Sequence, residues 1–279
     1  MASRLHINSE DILAELKDFS LDFAYFSFHR YRFEYLLHLL ERYQSPGSRF
    51  LDIGSYHGFM MLGARLLGYD SVAGVDLKKS VDHSTAVSVR YGFDNRPADL
   101  RDGLPFPDNS FDLVLFSEVL EHLTFCPRTI FREISRVLRP EGKIILTTPN
   151  LCRLNNILSL LAGQSINWDI KEDYHENHHV REYAPAEISY LLAGAGLKEV
   201  ESRFVNFPYP GLGLIVKITD LIAYLWKKKT GYRHNRGKSR FIFIIFLVVE
   251  FSGGGVRRRI GYESPRLNKN FQKVEFCQL

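Results

Sequence analysis

Short apolar runs alternate with helix-spaced apolar positions through most of the chain. Residues 10–43 place Leu36, Leu37, Leu39 and Leu40 at helical spacing and carry a dense aromatic set from Phe19 to Tyr35, so this stretch predicts helix, ended by Ser45-Pro46-Gly47-Ser48. Arg49–Gly54 then reads as a strand ending in a turn, Phe59–Leu67 as a helix, Ser71–Asp76 as a strand and Val81–Tyr91 as a helix. Phe111–Ser117 reads as a strand, Pro127–Leu138 as a helix and Lys143–Thr148 as a strand. This alternation predicts βαβ units and a doubly wound α/β fold, with a mostly parallel sheet covered by helices on both faces. Pro149–Ala184 reads as an insertion, part helix and part active-site loop. Pro185–Ala195 is a helix stopped at Gly196, and Lys198–Phe207 a strand. The apolar run Phe241–Val249 fits a strand shielded on both faces better than a membrane wedge, and it completes a seven-stranded sheet.

Composition narrows the class. With 45% apolar and 24% charged residues among 279, the chain can bury a sizeable core, which excludes collagen-like, disulfide-scaffold and disordered classes. The longest apolar run, nine residues, is less than half of what a spanning helix needs, and no secretory leader is read at the start. Three cysteines, Cys126, Cys152 and Cys277, share no metal-ligand spacing, and the expected location is cytoplasmic. The net charge of +4 is unevenly spread: residues 227–279 hold 13 lysines and arginines against three acids, so the first 226 residues are net acidic. A basic tail suits phosphate, nucleic acid or peripheral contact with a membrane surface; it also suits a merely solvated face.

The chemistry begins at Phe50-Leu-Asp-Ile-Gly-Ser-Tyr-His-Gly58, between a strand and a helix, with Asp76 at the end of the next strand. A glycine turn lets backbone approach a ligand at a helix N-terminus, and an acid after the second strand can accept both ribose hydroxyls. The pair suits any nucleoside-containing cofactor.

Further segments make the pattern specific: Leu51-Asp-Ile-Gly54, Gly74-Val-Asp76, Asp99-Leu100, Leu104-Pro-Phe-Pro-Asp-Asn-Ser-Phe-Asp-Leu-Val-Leu115, Ser117-Glu-Val-Leu-Glu-His-Leu123 and Glu133-Ile-Ser-Arg-Val-Leu-Arg-Pro-Glu-Gly-Lys143. In this order, over about residues 48–207, the chain resembles the class I S-adenosylmethionine-dependent methyltransferases, in the branch that includes small-molecule and ubiquinone-type O-methyltransferases. The resemblance implies a Rossmann-like fold and S-adenosyl-L-methionine as cofactor. It assigns Asp52, Gly54 and Gly58 to the cofactor's amino-acid part, Asp76 to its ribose, Leu77 to the adenine wall, and Asp99 with Leu100 to the adenine edge. Ser117 and Glu118 follow the strand whose end faces sulfonium and substrate. One departure stands out: Tyr56 occupies the middle position of the usual Gly-x-Gly-x-Gly, where its ring either crowds the amino-acid end or turns away if the loop widens.

Glu118, Glu121 and His122 would share one face of a helix, where two carboxylates and an imidazole can converge on a divalent ion. Similar segments in ubiquinone-type and small-RNA 2′-O-methyltransferases hold magnesium, the latter with a later histidine that His179 resembles; in metal-free relatives the segment shapes the pocket. Without metal, His122 is the candidate general base, with His178 and His179 as rivals. His175-Glu-Asn-His-His179 also fits the zinc-protease pattern, with Glu199 as a third ligand to test, but it lacks the apolar helix face of that motif.

The expected organisation is an N-terminal helical cap over 1–47, a cofactor-binding core over 48–207, an amphipathic helix plus last strand over 208–252 and a basic tail over 253–279. The expected reaction is O-methylation of a small molecule, a sugar or a lipid-linked glycan. RNA 2′-O-methylation and a non-catalytic binding module remain as alternatives.

Overall fold

The computed structural model describes residues 7–166, 179–206 and 243–251. The amphipathic stretch 208–226, the tail 253–279, His175 and His178 lie outside the described residues.

The N-terminal stretch forms three helices, α1 (Ser9–Leu16), α2 (Phe23–Phe28) and α3 (Arg30–Tyr43). The breaks have local causes. Asn8 caps α1 in a reciprocal capping box with Asp11, and the Asp22 carboxylate accepts from Tyr25 N–H to start α2. Leu36, Leu37, Leu39 and Leu40 of α3 are buried in one cluster with the glycine-loop helix α4 (Phe59–Leu66), where Leu37 closes on Gly63. Each such leucine contributes roughly 1.5–3 kcal/mol by leaving water, which holds the helical cap against the sheet.

The sheet has the order β3-β2-β1-β4-β5-β7-β6. Five strands run parallel: β1 (Arg49–Ile53), β2 (Ser71–Asp76), β3 (Asp94–Pro97), β4 (Phe111–Ser117) and β5 (Leu138–Pro149). On the far side β7 (Phe243–Phe251) lies antiparallel between β5 and β6 (Leu197–Asn206), in the register Ile145↔Val248 and Phe204↔Ile245. The run from Phe241 is thus a sheet strand from Phe243 onward. The expected mostly parallel sheet with helices on both faces is what the chain forms, and its parallel part is five strands. Helices α5 (Lys78–Tyr91), α6 (Pro127–Val137) and α8 (Pro185–Gly194) complete the cover, and α7 (Leu154–Leu161) follows β5.

β3 has no counterpart in the apolar pattern, because Asp94-Asn-Arg-Pro is a polar edge strand. Connections from β1 run toward β2 and β3, whereas β4 and β5 lie on its other side. The strand order therefore reverses between β1 and β4, and a crevice opens at their carboxyl ends, where open α/β sheets bind ligands.

Candidate active site

That crevice is a cleft of about 380 Å³, lined by Asp52, Gly54, Ser55 and Tyr56 after β1, Ser117 after β4, and Tyr25, Arg32 and Phe33 from the helical cap.

The loop from Gly54 to Gly58 is shaped by left-handed backbone. Gly54 has φ +81°, and a Cβ there would stand 2.3 Å from Val119 Cγ2, so only glycine fits. Gly58 has φ +82° and starts α4. Between them Tyr56, also left-handed at φ +45°, donates its N–H to Asp76 Oδ2 at 2.7 Å. Its ring packs 4.9 Å from Tyr25, and its hydroxyl donates to Asp22 at 3.3 Å. The ring has turned to the cap and become part of the cleft wall.

Two acids serve this loop. Asp52 is buried; burial first, and the charge of Asp76 second, push its carboxyl up to about 8. Asp76, at the end of β2, accepts from Tyr56 N–H and from Leu77 N–H at 2.7 Å each. Burial raises its carboxyl, and those two bonds oppose the rise. Leu77 beside it is 54% exposed, an apolar wall left open. The expected adenine-edge pair, Asp99 and Leu100, follows β3. Asp99 is tied to Arg101 at 2.6 Å, which draws its carboxyl down to about 2, and Leu100 packs into the core around β4 and α6.

The segment after β4 departs from the expected helix face. Only Leu120–His122 forms a single 3-10 turn, and Glu118 precedes it with φ +55°. Glu118 Oε2 pairs with Arg32 at 3.3 Å, and its Oε1 accepts from the Thr147 hydroxyl, itself 2.7 Å from Ser117 Oγ. Arg32 also donates to the Tyr25 hydroxyl at 2.8 Å. Sequence reading missed Arg32; its signal was a cation on the apolar stripe of α3, one turn before Leu36.

Glu121, His122 and His179 do come together, with one ligand-type atom from each lying within 4.8 Å of the others. The His122 and His179 rings meet edge-on at 4.9 Å. Glu121 is buried; its Oε2 accepts from Thr148 at 2.9 Å, while Oε1 has no hydrogen-bond partner. Burial and the nearby Glu118 charge raise its carboxyl well above the usual range. The four-ligand magnesium set does not assemble, because Glu118 is committed to Arg32. Two imidazoles and one carboxylate are also a poor match for a hard cation that prefers oxygen. Glu199, the further ligand considered for a zinc-protease site, instead accepts from Ser189 on α8.

Comparison with known proteins agrees with this fold. Residues 51–146 match the family described as "Methyltransferase domain". The ubiquinone biosynthesis O-methyltransferase of Xanthomonas euvesicatoria is 30% identical over 163 residues, 56% of this chain and 65% of that protein. That of Idiomarina loihiensis is 25% identical over 199 residues, 66% of this chain and 75% of that protein. The chain thus spans just under two thirds of the length of the Xanthomonas relative. Among solved structures, the YcgJ protein of Bacillus subtilis superposes with a TM-score of 0.52 at 20% identity, over 79% of this chain and 99% of that one. The [4+2]-cyclase SpnF superposes at 0.54 and 17%, over 79% and 81%. These likenesses show the fold, and a cyclase among them illustrates that the fold alone does not fix the reaction.

Proposed function

Because the chain carries a class I S-adenosylmethionine-dependent methyltransferase domain, we propose that it transfers the cofactor's methyl group to an oxygen of a small-molecule acceptor. The observation that carries this reading is the junction of two groups at one sheet end. A left-handed glycine loop backed by Asp52 and Asp76 meets Val119, in the segment after the neighbouring strand β4 that carries Glu121 and His122, and His179 joins these two.

The cleft's residues fit the cofactor. Asp76 offers a carboxylate where a ribose diol would lie, Leu77 an open apolar wall, Asp52 a carboxyl that ionises against the ammonium of an amino-acid end and Arg32 a guanidinium for its carboxylate. When bound, S-adenosylmethionine supplies an activated methyl on sulfonium. The protein's task is to align an acceptor oxygen with it and to take that oxygen's proton. His122 and His179 are the imidazoles available for the second task. Small-molecule hydroxyl acceptors are the preferred class, since the ubiquinone biosynthesis relatives are O-methyltransferases by name.

The test is to incubate the full chain with methyl-labelled cofactor and, separately, catechol, phenol, a monosaccharide and a short RNA. Label in catechol or phenol supports the reading. Label only in RNA, with a steep fall as salt rises, replaces it with nucleic-acid methylation.

A further inference from the structure

Beside the histidine pair stands a carboxylate that neither the motifs nor the cofactor explain. Glu182 has a side chain only 10% exposed, and three side chains converge on it. Arg153 Nη2 lies 2.7 Å from Oε1, Asn156 Nδ2 donates to Oε2 at 2.8 Å, and His179 Nδ1 lies 3.6 Å from Oε1. Burial pushes Glu182 up, but the bonds from His179, Arg153 and Asn156 prevail and hold it below the usual carboxylate range. It is therefore an anion at neutral pH.

The surroundings are built to keep it there. Helix α7 is inside out: its one buried residue is Asn156, while Ile157, Leu158, Leu160 and Leu161 are exposed. Asn156 also donates to Leu151 O, so the helix is pinned through this amide rather than through a leucine stripe. On the other side of His179, Val180 and Arg181 both donate N–H groups to the Glu121 carbonyl, at 2.7 and 3.1 Å, fastening the loop to the 3-10 turn that carries His122. The Asn150↔Tyr183 bridge ties the same loop to the end of β5. The backbone immediately after His179 is thus fixed at Val180, Arg181 and Tyr183, and an anion faces its Nδ1.

We infer that His179 is the general base for the acceptor hydroxyl and that Glu182, clamped by Arg153 and Asn156, is the residue that positions it. This rests on the methyl-transfer reading above. A carboxylate at Nδ1 selects the tautomer protonated there, leaves the Nε2 lone pair as proton acceptor and steadies the imidazolium that results. In the transfer, the acceptor O–H bond breaks and its proton passes to Nε2 as the oxygen bonds the methyl carbon. The electron pair of the sulfur–methyl bond stays on sulfur, which leaves as a neutral thioether. Arg153 and Asn156 act on His179 through Glu182.

Two measurements on the full chain test this. Long-range ¹H–¹⁵N correlation spectra of histidine-labelled protein, at a pH where imidazole is neutral, should show His179 protonated on Nδ1 in the wild type and a mixture of tautomers in Glu182→Gln. An Nε2–H tautomer in the wild type overturns the proposal and leaves the methyl-transfer reading standing. With catechol as acceptor, Glu182→Gln should lower kcat on the order of 10²-fold, within the range for positioned acid–base groups. KM and cofactor affinity should stay within about threefold, and Glu182→Asp should recover part of the loss. In a His179→Ala background the Glu182→Gln change should add nothing, and imidazole in the buffer should restore turnover to the alanine variant. A Glu182→Gln loss confined to KM, or fully additive with His179→Ala, overturns the positioning role. Activity abolished by chelator and restored by a divalent ion overturns the base role, because a carboxylate can equally orient a metal-bound imidazole. No transfer from wild type to catechol, with the expected tautomer, overturns the acceptor reading and the base assignment together.

Discussion

Asp52 links the stability of the protein to the chemistry of its cleft, in opposite directions. Its carboxyl ionises near 3.8 in a solvated chain and near 8 in the fold, because it is buried and faces Asp76. Between those values the folded state holds the additional proton. Stability is therefore fullest below 3.8, falls by about 1.4 kcal/mol per pH unit as pH rises, and stops falling above 8. Integrated from pH 6 to 9, the loss is about 2–3 kcal/mol, or roughly 5–10 °C in Tm for a chain of this size. Asp52→Asn keeps the shape and removes the ionisation, so most of that slope should vanish and the variant should be the more stable protein at pH 9. Thermal unfolding of both proteins without cofactor, followed by circular dichroism at half-unit steps from pH 6 to 9, reads this directly. A wild-type curve that is flat or rising over that range, or an asparagine variant that falls as steeply as wild type, refutes the reasoning.

The same carboxylate should face the cofactor's positive charge, so affinity should tighten as pH rises from 6 to 8. Binding should release a proton, seen as a buffer-dependent heat in calorimetry. Asp76→Ala should weaken cofactor binding more than 100-fold with the fold intact. Asp99→Ala, whose carboxylate is held by Arg101 on the surface, should change affinity less than about threefold; parity of the two variants in a titration would show the site misassigned. Gly54→Ala should cost about 2 kcal/mol or more, from left-handed backbone and the 2.3 Å approach to Val119. Adding Val119→Ala should return only the steric part, as measured by urea unfolding.

Much of this arrangement is written locally. Strands β1, β2 and β4 are buried apolar runs with sharp polar ends, and Asp52, Gly54 and Asp76 follow from their place at those ends. What escaped sequence reading depends on distant partners. β3 is defined only by its pairing with β2, since Asp94-Asn-Arg-Pro has no apolar alternation. Glu118 belongs in a helix by spacing, but a left-handed φ and the ion pair with Arg32, 86 residues earlier, turn it aside. Glu182 gains its meaning from Arg153 and Asn156 across an insertion that reads from sequence as part helix and part active-site loop, with no sign of which side chains meet. Tyr56 stood out correctly as a departure; the direction of its ring was set by Tyr25 and Asp22 in the cap.

The most direct test of the central claim is calorimetric titration of the wild-type chain with S-adenosylmethionine and S-adenosylhomocysteine. The cleft built from Asp52, Gly54 and Asp76 predicts one site per chain with micromolar affinity for both. A folded protein that binds neither would contradict the account.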